Sequence, residues 1–232
     1  MKIEDLSVDI IRKDIKHLYL KVLPPEGKIK VVSPKKLDDA TIREFVVAKK
    51  HWIKNKQEKY KKQLPRLIPQ YQTGEIHYYQ GDRLILNVIE TQKITKAIIR
   101  DNRYLDLYVR HNSIVEQRER VLINWYRQQL KAEIPDLIAK WETVIGVEIN
   151  DWGVKRMKTR WGTCNVRAKR IWLNLELIKK PPQCLAYVVV HELVHLLEQN
   201  HGDRFKAYMT QFMPDWRTYD AMLSANNQTI KN

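Results

Sequence analysis

An α+β fold is predicted by three features of this 232-residue chain. Short segments of alternating apolar and polar residues recur up to about residue 112, helical spacing takes over near Ser113, and the stretch CLAYVVVHELVHLL is apolar on almost every side. The expected organisation is an amino-terminal antiparallel β-rich region with a helix, residues 1–112, followed by a second domain, residues 113–232, built around a buried HExxH helix.

The first alternating segments, SVDIIRK and HLYLKVL, are followed by the turn PPEG and by KIKVVS, which together predict an antiparallel hairpin sheet. Asp38 or Asp39 then caps a helix with Ile42, Phe45, Val46, Trp52 and Ile53 on its apolar face, ending near Pro65. LPRLIPQYQTGE, with two prolines and a glycine, is expected to be a linker or loop. IHYYQ, GDRLILNVIE, KAIIRD and RYLDLYVR predict further hairpins, with turns at Gly81–Asp82 and Asp101–Asn102. A helix starting near Ser113 runs through Val121, Leu122, Trp125 and Tyr126, and Pro135 is expected to open a second helix reaching Val144. Next come a strand around VKRMKT, a loop at WGTCNVRAKR and a strand IWLNLELI, then a helix after Pro181 and Pro182 that carries the HExxH motif. IWLNLELI is the candidate edge strand for holding an extended peptide by strand addition, and an interior strand is the alternative.

The chemistry is concentrated in HELVHLLEQNH. One helical turn separates His191 from His195, about 40° around the axis, so both imidazoles project from one face and can hold one ion together. Glu192 points about 100° away from His191, outside the ligand set but within reach of a water on the metal, where a general base belongs. His201 completes the set only if the helix ends and the chain turns back, which Asn200 and Gly202 permit. Three neutral imidazoles and an open fourth position suit one catalytic Zn(II) per chain, with hydrolysis by a Glu192-activated, zinc-bound water.

Composition narrows the setting. The segment MKIEDLSVDI lacks an apolar h-region and no run of eighteen apolar residues occurs, so neither a secretory signal nor a membrane span is expected. Cys164 and Cys184 make no disulfide framework, which fits free thiols in a reducing, cytoplasmic compartment. The net charge of +15 falls in two places: residues 49–66 hold eight Lys or Arg against one acid, and residues 151–180 nine against two. These basic patches are either solvated faces or a non-specific nucleic-acid surface, with Trp52, Tyr60 and Trp161 available to stack on bases.

KTRWGTCN, IWLNLELIKKPPQCLAYVVVHELVHLLEQNHGDRF and MPDW resemble the YgjP-like metallopeptidases, which are related to the WLM and SprT-like proteases. The resemblance covers roughly residues 150–220 and rests on an RWG segment, an LN strand, YVVVHELxH and NHxxxF, with Thr163 where relatives often have serine. It implies a zincin-like catalytic domain in which His191, His195 and His201 bind zinc and Glu192 is the catalytic glutamate, with a peptide or protein as substrate. Arg160 is a candidate for stabilising an oxyanion or holding a substrate carboxylate or phosphate, a structural salt bridge being its alternative. Trp161, Met209 and Met213 are expected in the core, and Asn174 to cap or cross-link a loop. Two other functions use the same site: hydrolysis of a nucleotide phosphoanhydride, and proteolysis of DNA-bound proteins as attributed to SprT-like relatives. Neither a P-loop nor a carboxylate-rich magnesium site supports the first.

Overall fold

The computed structural model describes residues 1–23, 26–61 and 69–230. It divides into two compact units, Met1–Ile68 and Pro69–Asn232, and has the expected α+β class.

In the first unit β1 (Lys2–Ile3), β2 (Leu6–Lys13), β3 (Tyr19–Leu23) and β4 (Lys28–Pro34) pair in the order β1-β2-β4-β3. β3 and β4 pair antiparallel, as the hairpin around PPEG predicts, and so do β1 and β2, whereas β2 and β4 run parallel. That arrangement brings together the strands with buried alternate rows, Leu6 and Val8 of β2 beside Ile29 and Val31 of β4. Asp38 caps α1 (Asp39–Ala48), its Oδ1 accepting from the Thr41 amide at 2.7 Å. The single helix expected here is two, because Lys49 leaves helical geometry (φ −99°, ψ 5°) before α2 (Lys50–Lys61). Ile42, Val46 and Ile53 remain in the core, but the break changes the helical phase and leaves Trp52 43% exposed. The predicted helix end at Pro65 and both prolines of the PPEG turn lie outside the described residues.

The second unit opens with β5 (Ile76–Tyr79), β6 (Asp82–Glu90), β7 (Lys96–Arg100) and β8 (Tyr104–Val109), ordered β5-β6-β8-β7 with β6 and β8 parallel. Gln80 and Gly81, at φ 50° and 94°, form the tight turn between β5 and β6, one residue earlier than the sequence suggested. Asp101 and Asn102, at φ 54° and 48°, turn β7 into β8 as predicted. Leu84, Leu86, Leu105 and Leu107 on the inner face join one core with Leu122, Leu130 and Val190. Hence this sheet belongs to the compact unit that carries HExxH, and the unit begins at Pro69 where the sequence suggested a division at residue 112.

Helix α3 (Val115–Ile145) runs unbroken through Pro135, where two helices were expected. A proline inside a helix costs about 3 kcal/mol. Against that, Leu122, Tyr126, Leu130, Ile134, Ile138, Trp141 and Ile145 form one buried stripe spanning the proline. Burial of each large apolar side chain is worth roughly 1.5–3 kcal/mol, so the stripe outweighs the missing hydrogen bond. Gly146, at φ 74°, ends the helix, its N–H reaching Glu142 O.

A three-stranded sheet follows: β9 (Asp151–Lys155), β10 (Gly162–Asn165) and β11 (Arg170–Asn174), in the order β10-β11-β9. Two expectations change here. The stretch read as the loop WGTCNVRAKR contains β10, which pairs antiparallel with β11. IWLNLELI is strand only to Asn174; Leu175–Lys179 is a 3-10 turn that buries Leu175, Leu177 and Ile178. β11 is therefore the interior strand and β10 the edge. Three helices complete the unit: α4 (Pro182–Val194), α5 (Asp203–Phe212) and α6 (Trp216–Ile230). Among the described residues no helix is long and apolar enough to cross a membrane.

Candidate metal centre

Helix α4 is buried nearly all round, with Cys184, Leu185, Val188, Val189, Val190, Leu193 and Val194 packed away from water. His191 sits in its last turn and His195 is its C-cap, still at helical angles (φ −62°, ψ −18°). Beyond His195 the turn tightens, the amides of Leu197 and Glu198 reaching Val194 O at 2.9 and 3.0 Å, and the chain reverses before Gly202 opens α5. The reversal delivers His201 to the other two histidines: the ring nitrogens available as ligands all lie within 4.8 Å of one another, and His191 Nε2 is 3.0 Å from His201 Nε2. Ligand nitrogens on a tetrahedral ion with bonds of about 2.0–2.1 Å would be about 3.3 Å apart, so the three positions fit a metal. Burial, and then the neighbouring imidazoles, pushes His191 down to about 3; burial also lowers His195. Both rings are thus neutral near pH 7, as metal ligands must be. His195 Nδ1 lies 3.2 Å from Glu198 O; donating there leaves Nε2 available to a metal.

Phe205 of α5, 2% exposed, packs against all three imidazoles with ring centroids 4.9, 4.8 and 4.8 Å away. Sequence spacing alone did not single it out, although it is the last residue of the NHxxxF pattern. A Phe205→Ala variant is expected to weaken metal binding about tenfold by freeing the rings. Loss of the buried ring should also cost about 3–5 kcal/mol of stability. Competition with a chelating dye and chemical denaturation measure the two effects.

Glu192 is 4% exposed. Burial pushes its carboxyl up to about 8, with the Arg160 guanidinium pulling the other way. Its position depends on Gly162: a Cβ there would lie 2.5 Å from Glu192 Oε1 and 2.8 Å from its Cγ, so only glycine lets the strand approach this closely. Sequence reasoning missed Gly162, though a glycine opening a short strand signals close backbone approach.

The histidines and Glu192 open into a cleft of about 670 Å³ walled by the run Thr159–Cys164 on one side and by Asp220, Leu223 and Ser224 of α6. Arg160 is exposed at this cleft and has no ion pair among the described residues. Its loop is tied down by Asn174, fully buried, whose Nδ2 donates to Met157 O (2.9 Å) and Arg160 O (2.8 Å) while its Oδ1 accepts from the Glu176 amide (3.2 Å). Asn174 is therefore the expected cross-link. Trp161 is 9% exposed and packs in the core, which removes it as a free stacking platform. Met209 is buried in the same core and Met213 packs against it. Cys164 stands apart from the three-histidine group, its thiol pushed up to about 11 by burial and by Glu192. Tyr187, one turn before His191, meets its ring edge-on at 5.8 Å and donates its hydroxyl to Asp220 Oδ1 at 3.0 Å. The helical spacing from His191 could have revealed Tyr187; nothing local marks Asp220.

A family model described as YgjP-like, metallopeptidase domain, matches residues 16–226. No curated protein matches the chain. Among solved structures, the metallopeptidase zymogen of Pyrococcus abyssi abylysin is similar at 16% identity and a TM-score of 0.37, over 40% of this chain and 93% of that one. The metallopeptidase zymogen of Methanocaldococcus jannaschii jannalysin is similar at 19% identity and a TM-score of 0.36, over 40% of this chain and 96% of that one.

Proposed function

The chain belongs to the YgjP-like metallopeptidase family, and from that premise we propose a zinc-dependent peptidase in which His191, His195 and His201 hold one Zn(II) and Glu192 is the general base. The observation that carries the reading is the convergence of three imidazoles beside a buried glutamate at the floor of a cleft. Three nitrogen donors with no carboxylate among them favour zinc over magnesium or calcium. When bound, zinc supplies Lewis acidity, lowering the pKa of a coordinated water and polarising the scissile carbonyl. Glu192 takes the proton of the attacking water and passes it to the leaving amine, and the apolar packing around it keeps competing solvent away. Arg160, unpaired at the cleft, stabilises the developing oxyanion or holds a substrate carboxylate. The free edge of β10, whose Gly162, Thr163 and Cys164 line the cleft, binds the peptide backbone as an added strand. The unit Pro69–Asn232, including the β5–β8 sheet, forms the catalytic domain, and the free thiols of Cys164 and Cys184 support a cytoplasmic setting.

A Gly162→Ala variant is expected to keep zinc and to lose turnover about a hundred-fold, because its methyl would displace the Glu192 carboxylate by an ångström or more. Steady-state peptide hydrolysis alongside metal analysis reads this; unchanged turnover would mean that the carboxylate position does not matter.

Nucleic acid as a second partner now rests on α2, where Trp52 is exposed with Lys56 Nζ 5.8 Å from its ring centroid. Lys50 and Lys54 are engaged by Glu4 and Asp5, and Tyr60 is half-buried with its hydroxyl donating to Val22 O. A steep loss of binding with added salt is the test of this partner.

A further inference from the structure

We propose that Asp220 anchors a cationic side chain, Lys or Arg, of the peptide substrate; the inference rests on the peptidase reading above. Asp220 is exposed on α6 and lines the cleft that contains His191 and Glu192. Its Oδ1 accepts the hydroxyl of Tyr187 at 3.0 Å. Tyr187 is 5% exposed on the buried helix α4, so the hydroxyl that orients the carboxylate is itself fixed by packing. One carboxylate oxygen and several lone pairs remain for an incoming donor, and a carboxylate already held in place loses little freedom when that donor arrives.

Some carboxylates of this chain are ion-paired and others, Asp220 among them, are not. The chain has 42 Lys and Arg against 27 Asp and Glu, so an exposed carboxylate has abundant cations available. Asp5 engages Lys50 and Lys54, Asp39 engages Arg12, and Asp106 engages Arg100. Asp220 has no cation partner among the described residues, and Arg160, lining the same cleft, forms no salt bridge there, its charge acting only at longer range on the Glu192 carboxyl. Two opposite charges thus face one cleft without neutralising each other, and the complementary ligand carries both signs: an anionic group for Arg160 and an ammonium or guanidinium for Asp220. The net charge of +15 repels cationic peptides at long range, so a preference for Lys or Arg must arise locally at Asp220.

The test is a set of otherwise identical peptides carrying Lys, norleucine or Glu at successive positions around the cleaved bond, assayed with the zinc-loaded full chain. At one position Lys is expected to raise kcat/KM about tenfold over norleucine, the size of one charge-assisted hydrogen bond. Asp220→Asn keeps an acceptor for Tyr187 and removes the charge, so the Lys/norleucine ratio should fall to about one; Asp220→Lys should invert the preference towards Glu. Each ratio is measured within one enzyme preparation, so partial misfolding cancels. Absence of any Lys preference in the wild type, or its persistence in Asp220→Asn, would overturn the proposal while Glu192-dependent cleavage of the norleucine peptides left the peptidase reading standing. Cleavage of no peptide at all would overturn both.

Discussion

Glu192→Gln is expected to keep its metal and lose turnover by about a hundred-fold to ten-thousand-fold, the range for removal of a general base. The substitution is nearly isosteric, so the close packing against Gly162 survives, and it removes an ionisable group from a site that is 4% exposed. Without a metal, burial pushes the Glu192 carboxyl up to about 8, so in the metal-free chain the neutral amide should fold at least as stably, whereas a bound Zn(II) would favour the carboxylate that acts as base. A variant with near wild-type rate and full metal content would assign water activation to another group. Zinc analysis, thermal unfolding and peptide hydrolysis on one preparation separate these outcomes.

His201→Ala should lose zinc and activity together. Loss of an outer partner of a ligand typically costs ten- to hundred-fold in metal affinity, and loss of a ligand should cost more. Two carboxylates stand close enough in sequence to substitute, but Glu198 Oε1 already accepts from the Asn200 amide at 3.1 Å and Asp203 Oδ1 pairs with Lys206 at 3.2 Å. Stability of the metal-free chain should barely change, because His201 is exposed, in contrast to the buried Phe205, while the stabilisation that zinc adds should be lost. Unchanged zinc affinity in His201→Ala would show that one of those carboxylates, or a different residue, is the third ligand.

The clustering of His191, His195 and His201 was legible in the sequence because its determinants are local: two histidines one turn apart and a third after a turn. The α+β class was legible for the same reason, since alternation and helical spacing are properties of short windows. Strand pairing was less so. The parallel pairs β2–β4 and β6–β8, and the edge position of β10 in place of β11, depend on which distant segments meet. Pro135 misled because its local cost is fixed while the burial that offsets it comes from the tertiary core around α3. Trp52 fits the apolar spacing of one long helix and is exposed because the chain breaks at Lys49. Tyr187 and Asp220 lie 33 residues apart, and only the packing of α6 on α4 brings carboxylate to hydroxyl.

The most direct test of the zinc-peptidase account is mass-spectrometric detection of new peptide termini after the zinc-loaded chain is incubated with a peptide library, with nucleoside triphosphates in a parallel arm and Glu192→Gln as the blank. New termini should appear with the wild type, fall to the level of the blank in the variant, and be accompanied by no phosphate release. Intact peptides together with Glu192-dependent hydrolysis of the triphosphate would contradict the account and assign this site to phosphoanhydride chemistry.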